Sequence, residues 1–163
     1  MEVFAIPAVG AIIEKSIGNK RYVLIQTRNK NEDSKEHGLL EIPAGKVREY
    51  ENVFEALRRE VLEETGLKLT KIFGEEESKK SFVNECKTIS YQPFCCTQNL
   101  SGEHSIILQT FICHAEGDLL EKTNETSNIH WELISNVENM LENNPEKFYQ
   151  MHINGLKKYI ELF

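Results

Sequence analysis

The sequence predicts an α/β fold in which a mixed β-sheet is covered by helices on two faces. Three observations point there: short runs of β-branched and aromatic residues occur on both sides of a central charged segment, that segment carries helical periodicity, and two further amphipathic stretches close the chain. At 163 residues the chain suits one domain, residues 1–163, large enough to bury a core without disulfides or structural metals.

The first two apolar stretches, AVGAIIE (8–14) and RYVLIQT (21–27), flank SIGNK, and Gly18-Asn19 supplies the turn chemistry of a hairpin. A polar loop, RNKNEDSKEHG, follows, long enough for a lid or a substrate contact. The short strand-like run LLEIPAG leads out of it. A helix is expected over about 53–65: Asn52 suits the N-cap, Glu55 stands three residues on in a capping-box arrangement, and Gly66 suits the stop. LKLTKIFG, KTISYQPF and SIILQTFICHA then read as strands, with a shorter one at IHWELI. Ser135 with Glu138 caps a second helix. Asn144-Pro145 opens a third, continuing through Phe148, Met151, Leu156 and Ile160.

Composition narrows the function. Nineteen basic residues against 26 acidic ones give a formal net charge of −7, which repels phosphate backbones and argues against nucleic-acid binding while leaving room for a local basic pocket. The acidic start MEVFAIPAVGAIIEK lacks the positive charge of a secretion signal, and no apolar run approaches the roughly 20 residues of a membrane span. No membrane partner and a cytoplasmic location are the expectations. Cys86, Cys95, Cys96 and Cys113 lack the CxxC spacing of a zinc or redox site and are expected to be buried free thiols.

The central helix raises a problem of charge. At about 100° per residue, Val53, Phe54, Leu57 and Val61 define a core-facing side; Glu64 falls within it, Glu60 close by, and Glu63 on its border beside Ala56. Carboxylates turned toward a core cost several kcal/mol unless they are paired or bound to metal. Mg²⁺ meets that cost with oxygen ligands and is usually completed by substrate phosphates. Glu60, Glu63 and Glu64 therefore read as a magnesium site at the end of a cleft. Two glycosidase carboxylates would come from separate elements, which three on one turn do not match. A P-loop needs Gly at 40 and Ser or Thr at 47, where Leu40 and Val47 stand. No GxSxG or HExxH motif occurs.

From Gly45 to Leu67, GKVREYENVFEALRREVLEETGL resembles the Nudix box, with Gly45, Glu51, Arg59, Glu60, Val61, Glu63, Glu64, Gly66 and Leu67 filling its fixed positions. The resemblance implies a Nudix-type α/β/α sandwich and Mg²⁺-dependent hydrolysis of a nucleoside diphosphate linked to another group, with Mn²⁺ as a substitute. It carries metal binding to Glu60, Glu63 and Glu64 and to the Ala44 carbonyl, catalysis to Glu63 and Glu64, and a structural role to the pair Glu51 and Arg59, which ties loop to helix. Glu103, in NLSGEHS, stands where related enzymes often keep an extra metal-binding or general-base glutamate. EIPAGK resembles the sugar-nucleotide pyrophosphatases of the ADP-ribose type, but the proline that marks that branch is missing, with Ser81, Phe82 and Val83 in its region.

For the substrate, Arg28 is a candidate phosphate contact, and Tyr91, Phe94 or Phe111 could stack on a base, Phe94 being the one selected; core packing is the competing expectation for each aromatic. His104 and His114 read as ordinary residues beside an oxygen-selective ion, and Trp131 as core. A mutator-type nucleoside triphosphate pyrophosphohydrolase and a non-catalytic nucleotide-sensing Nudix module are the alternative functions. Many relatives pair, so a homodimer is among the arrangements the resemblance allows.

Overall fold

The computed structural model describes residues 1–163. Strand β1 (Ile6–Ile17) is its axis: along one edge it runs parallel to β9 (Ile106–Glu116), from Ile6 opposite Ile106 to Ile13 opposite Cys113. Its other edge is divided. The C-terminal half pairs antiparallel with β2 (Lys20–Arg28), from Glu14 opposite Val23 to Ile17 opposite Lys20. The N-terminal half pairs instead with β4 (Ala44–Lys46), Ala8 opposite Lys46 and Gly10 opposite Ala44. At the fork the Ala11 N–H donates to the Pro43 carbonyl at 2.9 Å. LLEIPAG is thus two strands, since β3 (Leu40–Glu41) pairs with β2 before the chain crosses to β1.

The sheet is completed by β5 (Lys68–Ile72) and β8 (Cys95–Gln98) on β9 and by β10 (Thr126–Leu133) on β2. Side chains alternate across β1 and β2 and separate two cores. Val9, Ala11, Ile13 and Leu24 pack with Phe54, Leu57 and Val61 of α1 (Val53–Thr65). Ile12, Val23 and Ile25 face the other way, toward Val137 and Leu141 of α2 (Ile134–Asn143) and Leu156 and Tyr159 of α3 (Gln150–Ile160). This is an α/β/α arrangement around a mixed sheet. No helix is long and apolar enough to cross a membrane.

Several local expectations need correction. Asn52 caps α1, but Oδ1 accepts from the Phe54 N–H at 2.9 Å, so the contact falls on the second helical residue and not on Glu55. KTISYQPF does not enter the main sheet. Its first half is β7 (Cys86–Ser90), which folds back on β6 (Lys79–Val83) as a separate exposed hairpin, with Asn84 and Glu85 at positive φ in the turn. Ser135 does not cap α2. Leu133 still pairs with Tyr22 in the sheet, so the helix starts directly from the strand, and the Glu132 carboxylate takes the Leu133 N–H. Asn144-Pro145 opens only the 3₁₀ turn Pro145–Lys147. The Tyr149 N–H donates to the Leu40 carbonyl at 2.8 Å, which holds Phe148 and Tyr149 extended and delays α3 to Gln150.

All four cysteines are free, yet only Cys113 is buried; Cys86 and Cys96 are exposed, because they lie on the hairpin and on the short strand β8. Tyr91 and Phe111 pack edge-on against Phe54, their ring centroids 5.8 and 5.5 Å from it, so both are packing residues. Trp131 lies at the margin of the core with the Lys15 ammonium 4.1 Å above its ring.

Gly66 ends α1 at φ 81°, its N–H donating to the Leu62 carbonyl, and a Cβ there would lie 2.9 Å from Leu120 Cγ and 3.0 Å from the Asp118 carbonyl. Left-handed backbone costs a non-glycine residue about 1–2 kcal/mol. Gly66→Ala should lower the unfolding free energy by at least that amount, read from urea denaturation.

Candidate active site

The site forms where β1 changes partners. Alternation on β2 puts Gln26 and Arg28 on the same face as Leu24, the face that meets α1. Lys30 follows two residues on. β3 adds Glu41, opposite Gln26, and Gly45 of β4 passes directly over Glu60 of α1. A Cβ on Gly45 would sit 2.0 Å from the Glu60 carboxyl carbon, so only glycine admits that carboxylate beneath the loop.

Glu64 is buried and fully engaged. Its Oε2 accepts from Gln26 Nε2 at 2.8 Å and from the Ala44 N–H at 3.1 Å, while its Oε1 faces Lys30 Nζ at 2.7 Å. Burial pushes its carboxyl above the usual range, with Lys30 as the chief opposing influence. The Lys30 ammonium also touches the Ala44 carbonyl at 3.3 Å and Glu125 Oε2 at 2.9 Å. Burial would lower the Lys30 pKa, but the Glu64 carboxylate outweighs it and the group is held firmly charged.

Arg59 organises the outer glutamates. It grips Glu51 through two bonds, 2.7 Å from Nε and 2.9 Å from Nη2, donates to the Lys46 carbonyl at 3.1 Å, contacts Glu60 directly and reaches Glu63 at 3.5 Å. The hydrogen bonds from Arg59 hold the Glu51 carboxyl down to about 2. Glu63 is the exposed member of the group. No three His, Cys, Asp or Glu side chains converge closely enough to hold a metal by themselves. The repulsion that the sequence assigns to a metal is met here by Lys30, Gln26 and Arg59.

Glu41, absent from the sequence-based candidates, is also buried. Burial and the nearby Glu64 charge raise its carboxyl to about 7, although Arg28 Nη1 donates to it at 3.0 Å. Arg28 also pairs with Glu36 at 3.2 Å and lies over the Tyr149 ring at 4.4 Å. Gln26 Oε1 and Arg28 Nε are buried without partners. His152 is buried, its imidazole pushed down to about 3 by burial and by the cations Arg28 and Lys30. The neutral ring accepts the Ile42 N–H on Nδ1 at 3.1 Å, which assigns its proton to Nε2.

These residues surround a cleft of about 450 Å³, within the roughly 300–1,000 Å³ of small-ligand sites. Arg28, Lys30, Lys46, Arg48 and Arg59 line it with Glu60, Glu63 and Glu125, and Ile106, Leu108, Tyr149 and Met151 form an apolar wall. An acidic chain thus gathers five cations around one hollow. The structure brings Arg28, Ala44, Glu60, Glu63 and Arg59 together there, with Glu64 behind them. Glu103 is exposed on the loop between β8 and β9 and does not line the cleft. Neither does Phe94, which packs against the second core beneath the Lys158 ammonium, 4.8 Å away. Gln26, Lys30 and Glu41 are the residues missed; for Gln26 and Glu41 a polar side chain beside apolar strand residues was the available signal, and Lys30, beyond the end of β2, carried none.

Residues 5–151 match the NUDIX domain. Among solved structures, the NUDIX domain of Shewanella oneidensis NrtR complexed with ADP ribose superposes with a TM-score of 0.70 at 14% identity, covering 99% of this chain and 90% of that one. The MutT protein of Methanosarcina mazei Go1 gives 0.63 at 20%, covering 99% and 97%. A C. elegans Ap4A hydrolase binary complex gives 0.57 at 15%, covering 97% of each. At these identities the likeness concerns the fold. No curated protein matches the chain.

Glu41 sets a pH dependence. Its folded pKa lies above its unfolded value of 4.5, so its contribution to stability is fully present below about 4.5 and is lost as pH rises toward about 7, with a slope of at most about 1.4 kcal/mol per pH unit. In urea unfolding across that window, the stability of Glu41→Gln relative to the wild type should rise with pH and level off above about pH 7.

Proposed function

We propose that this chain, which belongs to the NUDIX domain family, is a pyrophosphohydrolase that opens the diphosphate linkage of a small nucleotide, a nucleoside diphosphate joined to another group, with Mg²⁺ as cofactor and Mn²⁺ as a substitute. The observation that carries this reading is the five-cation cleft set against Glu60, Glu63 and Glu64 in a chain of net charge −7. Arg28, Lys46 and Arg48 hold the phosphates, and a phosphate entering beside Arg28 competes with the solvent-facing Glu36. The base lies against the wall of Ile106, Leu108, Tyr149 and Met151, to which Phe94 does not belong.

The Ala44 carbonyl, Glu60, Glu63 and Glu64 are the residues that would hold the ion. Two features fit them to it: the Glu60 carboxylate packed against the Gly45 backbone, in the space a Cβ there would take, and the positive charge already drawn between Ala44 and Glu64. When bound, a divalent ion neutralises phosphate charge and lowers the pKa of the attacking water. Glu51 and Arg59 hold the loop over the helix so that the oxygens keep their places. Glu103 is proposed to accept the proton of that water. Its loop leads into Ile106 of the cleft wall and has to fold over the cleft for this role.

A second reading, nucleotide binding without cleavage, is favoured by one observation: Glu60 and Glu64 are already neutralised by protein cations, and no acidic triad is assembled. A panel assay with Mg²⁺ over ADP-ribose, sugar nucleotides, dinucleoside polyphosphates and nucleoside triphosphates separates these readings and the mutator-type alternative. Nucleotide binding with no turnover on any of them would establish the second.

Glu64→Gln should reduce turnover at least about a hundredfold while retaining a cooperative thermal transition; undiminished turnover would remove Glu64 from the metal set. Glu103→Gln should lower kcat by about a hundredfold with KM little changed, and an unaltered kcat would leave Glu103 a solvated loop residue.

A further inference from the structure

One side chain occupies the position expected of an ion. Lys30 Nζ lies 2.7 Å from Glu64 Oε1 and 3.3 Å from the Ala44 carbonyl, two of the oxygens proposed above to hold the divalent cation. Its third contact, Glu125 Oε2 at 2.9 Å, faces the other way, on the cleft rim, where the Glu125 side chain is 57% exposed against 3% for Glu64. The ammonium therefore bridges a buried carboxylate and a solvated one. A divalent ion bonds oxygen at a shorter distance and carries twice the charge. Two cations that share one partly desolvated pair of oxygens repel, so an ion and Lys30 exclude one another from this position.

We propose that Lys30 is a resident counter-ion of the metal site: it neutralises Glu64 while no ion is bound, and entry of the ion displaces its ammonium toward Glu125 at the cleft rim, where it meets the incoming phosphate. The inference rests on the reading that Ala44 and Glu64 hold the metal. It explains how a carboxylate buried among core residues is tolerated without metal. It also couples the two ligands: metal alone has to expel Lys30, whereas a nucleotide phosphate gives the expelled ammonium a partner, so metal and nucleotide bind more tightly together than apart.

The test measures Mn²⁺ uptake by the full chain without nucleotide, from the loss of the free-ion paramagnetic resonance signal, for the wild type, Lys30→Met and Glu64→Gln. Lys30→Met should bind Mn²⁺ about tenfold more tightly than the wild type, and Glu64→Gln more weakly. If Lys30→Met binds no more tightly while Glu64→Gln still weakens uptake, the counter-ion role is overturned and the metal assignment stands. If uptake is indifferent to Glu64→Gln, or absent throughout, the metal assignment is overturned together with it. Should Lys30→Met fail to fold without metal, the wild type decides: the side-chain ammonium resonance of isotope-labelled Lys30, protected from solvent exchange in the metal-free protein, should be lost on adding Mg²⁺. Its persistence at saturating Mg²⁺ overturns the proposal.

Discussion

The structure turns on keeping a negative charge at Glu64 inside the fold. Leaving such a carboxylate unpaired in a protein interior costs several kcal/mol, and the surrounding chain is arranged to prevent it. Gln26 and Lys30 reach it from the end of β2 and just beyond, and the Ala44 N–H from β4, so the elements on either side of the fork along β1 are held partly by their attraction to one side chain. Thr126 on β10 adds its hydroxyl to the Glu64 backbone carbonyl at 3.0 Å. Glu64 is thus a structural centre for the elements around the cleft.

The fork in β1 explains why the site lies where it does. A strand that pairs with one neighbour over half its length and another over the rest leaves a gap between those neighbours, and β3 and β4 occupy it with only a few residues each. The short strands leave room for Gly45 to pass over Glu60, and their loop is tied to α1 by Arg59, which bonds Glu51 and the Lys46 carbonyl together. The cations reach the cleft from two sides of this gap, Arg28 and Lys30 from the end of β2 and just beyond it, Lys46 and Arg48 from the end of β4 and just beyond it.

The layered α/β arrangement and the limits of α1 were legible in the sequence from local pattern, namely apolar alternation, an N-cap residue and a terminal glycine, whereas the grouping of the glutamates with Gly45 was legible through the resemblance to the Nudix box. What was not legible depends on partners distant in sequence. Ser135 has the chemistry of a cap, but the pairing of Leu133 with Tyr22 decides where α2 begins. Asn144-Pro145 is a sound helix start, overruled by the bond from Tyr149 to Leu40. The protein cations that neutralise the glutamates were missed for the same reason. Helical projection places Glu64 toward the core, yet only the fold brings Lys30 and Gln26 to meet it.

The strap between α3 and β3 links two ends of the site. Tyr149 is bonded to Leu40 and His152 to Ile42, the residues on either side of Glu41, and Tyr149 and Met151 stand in the apolar wall of the cleft. The backbone that carries the buried Glu41 is thus held on both sides by the segment that supplies part of the cleft wall. A strand and a helix separated by 110 residues of sequence therefore share one stretch of backbone support behind the cleft.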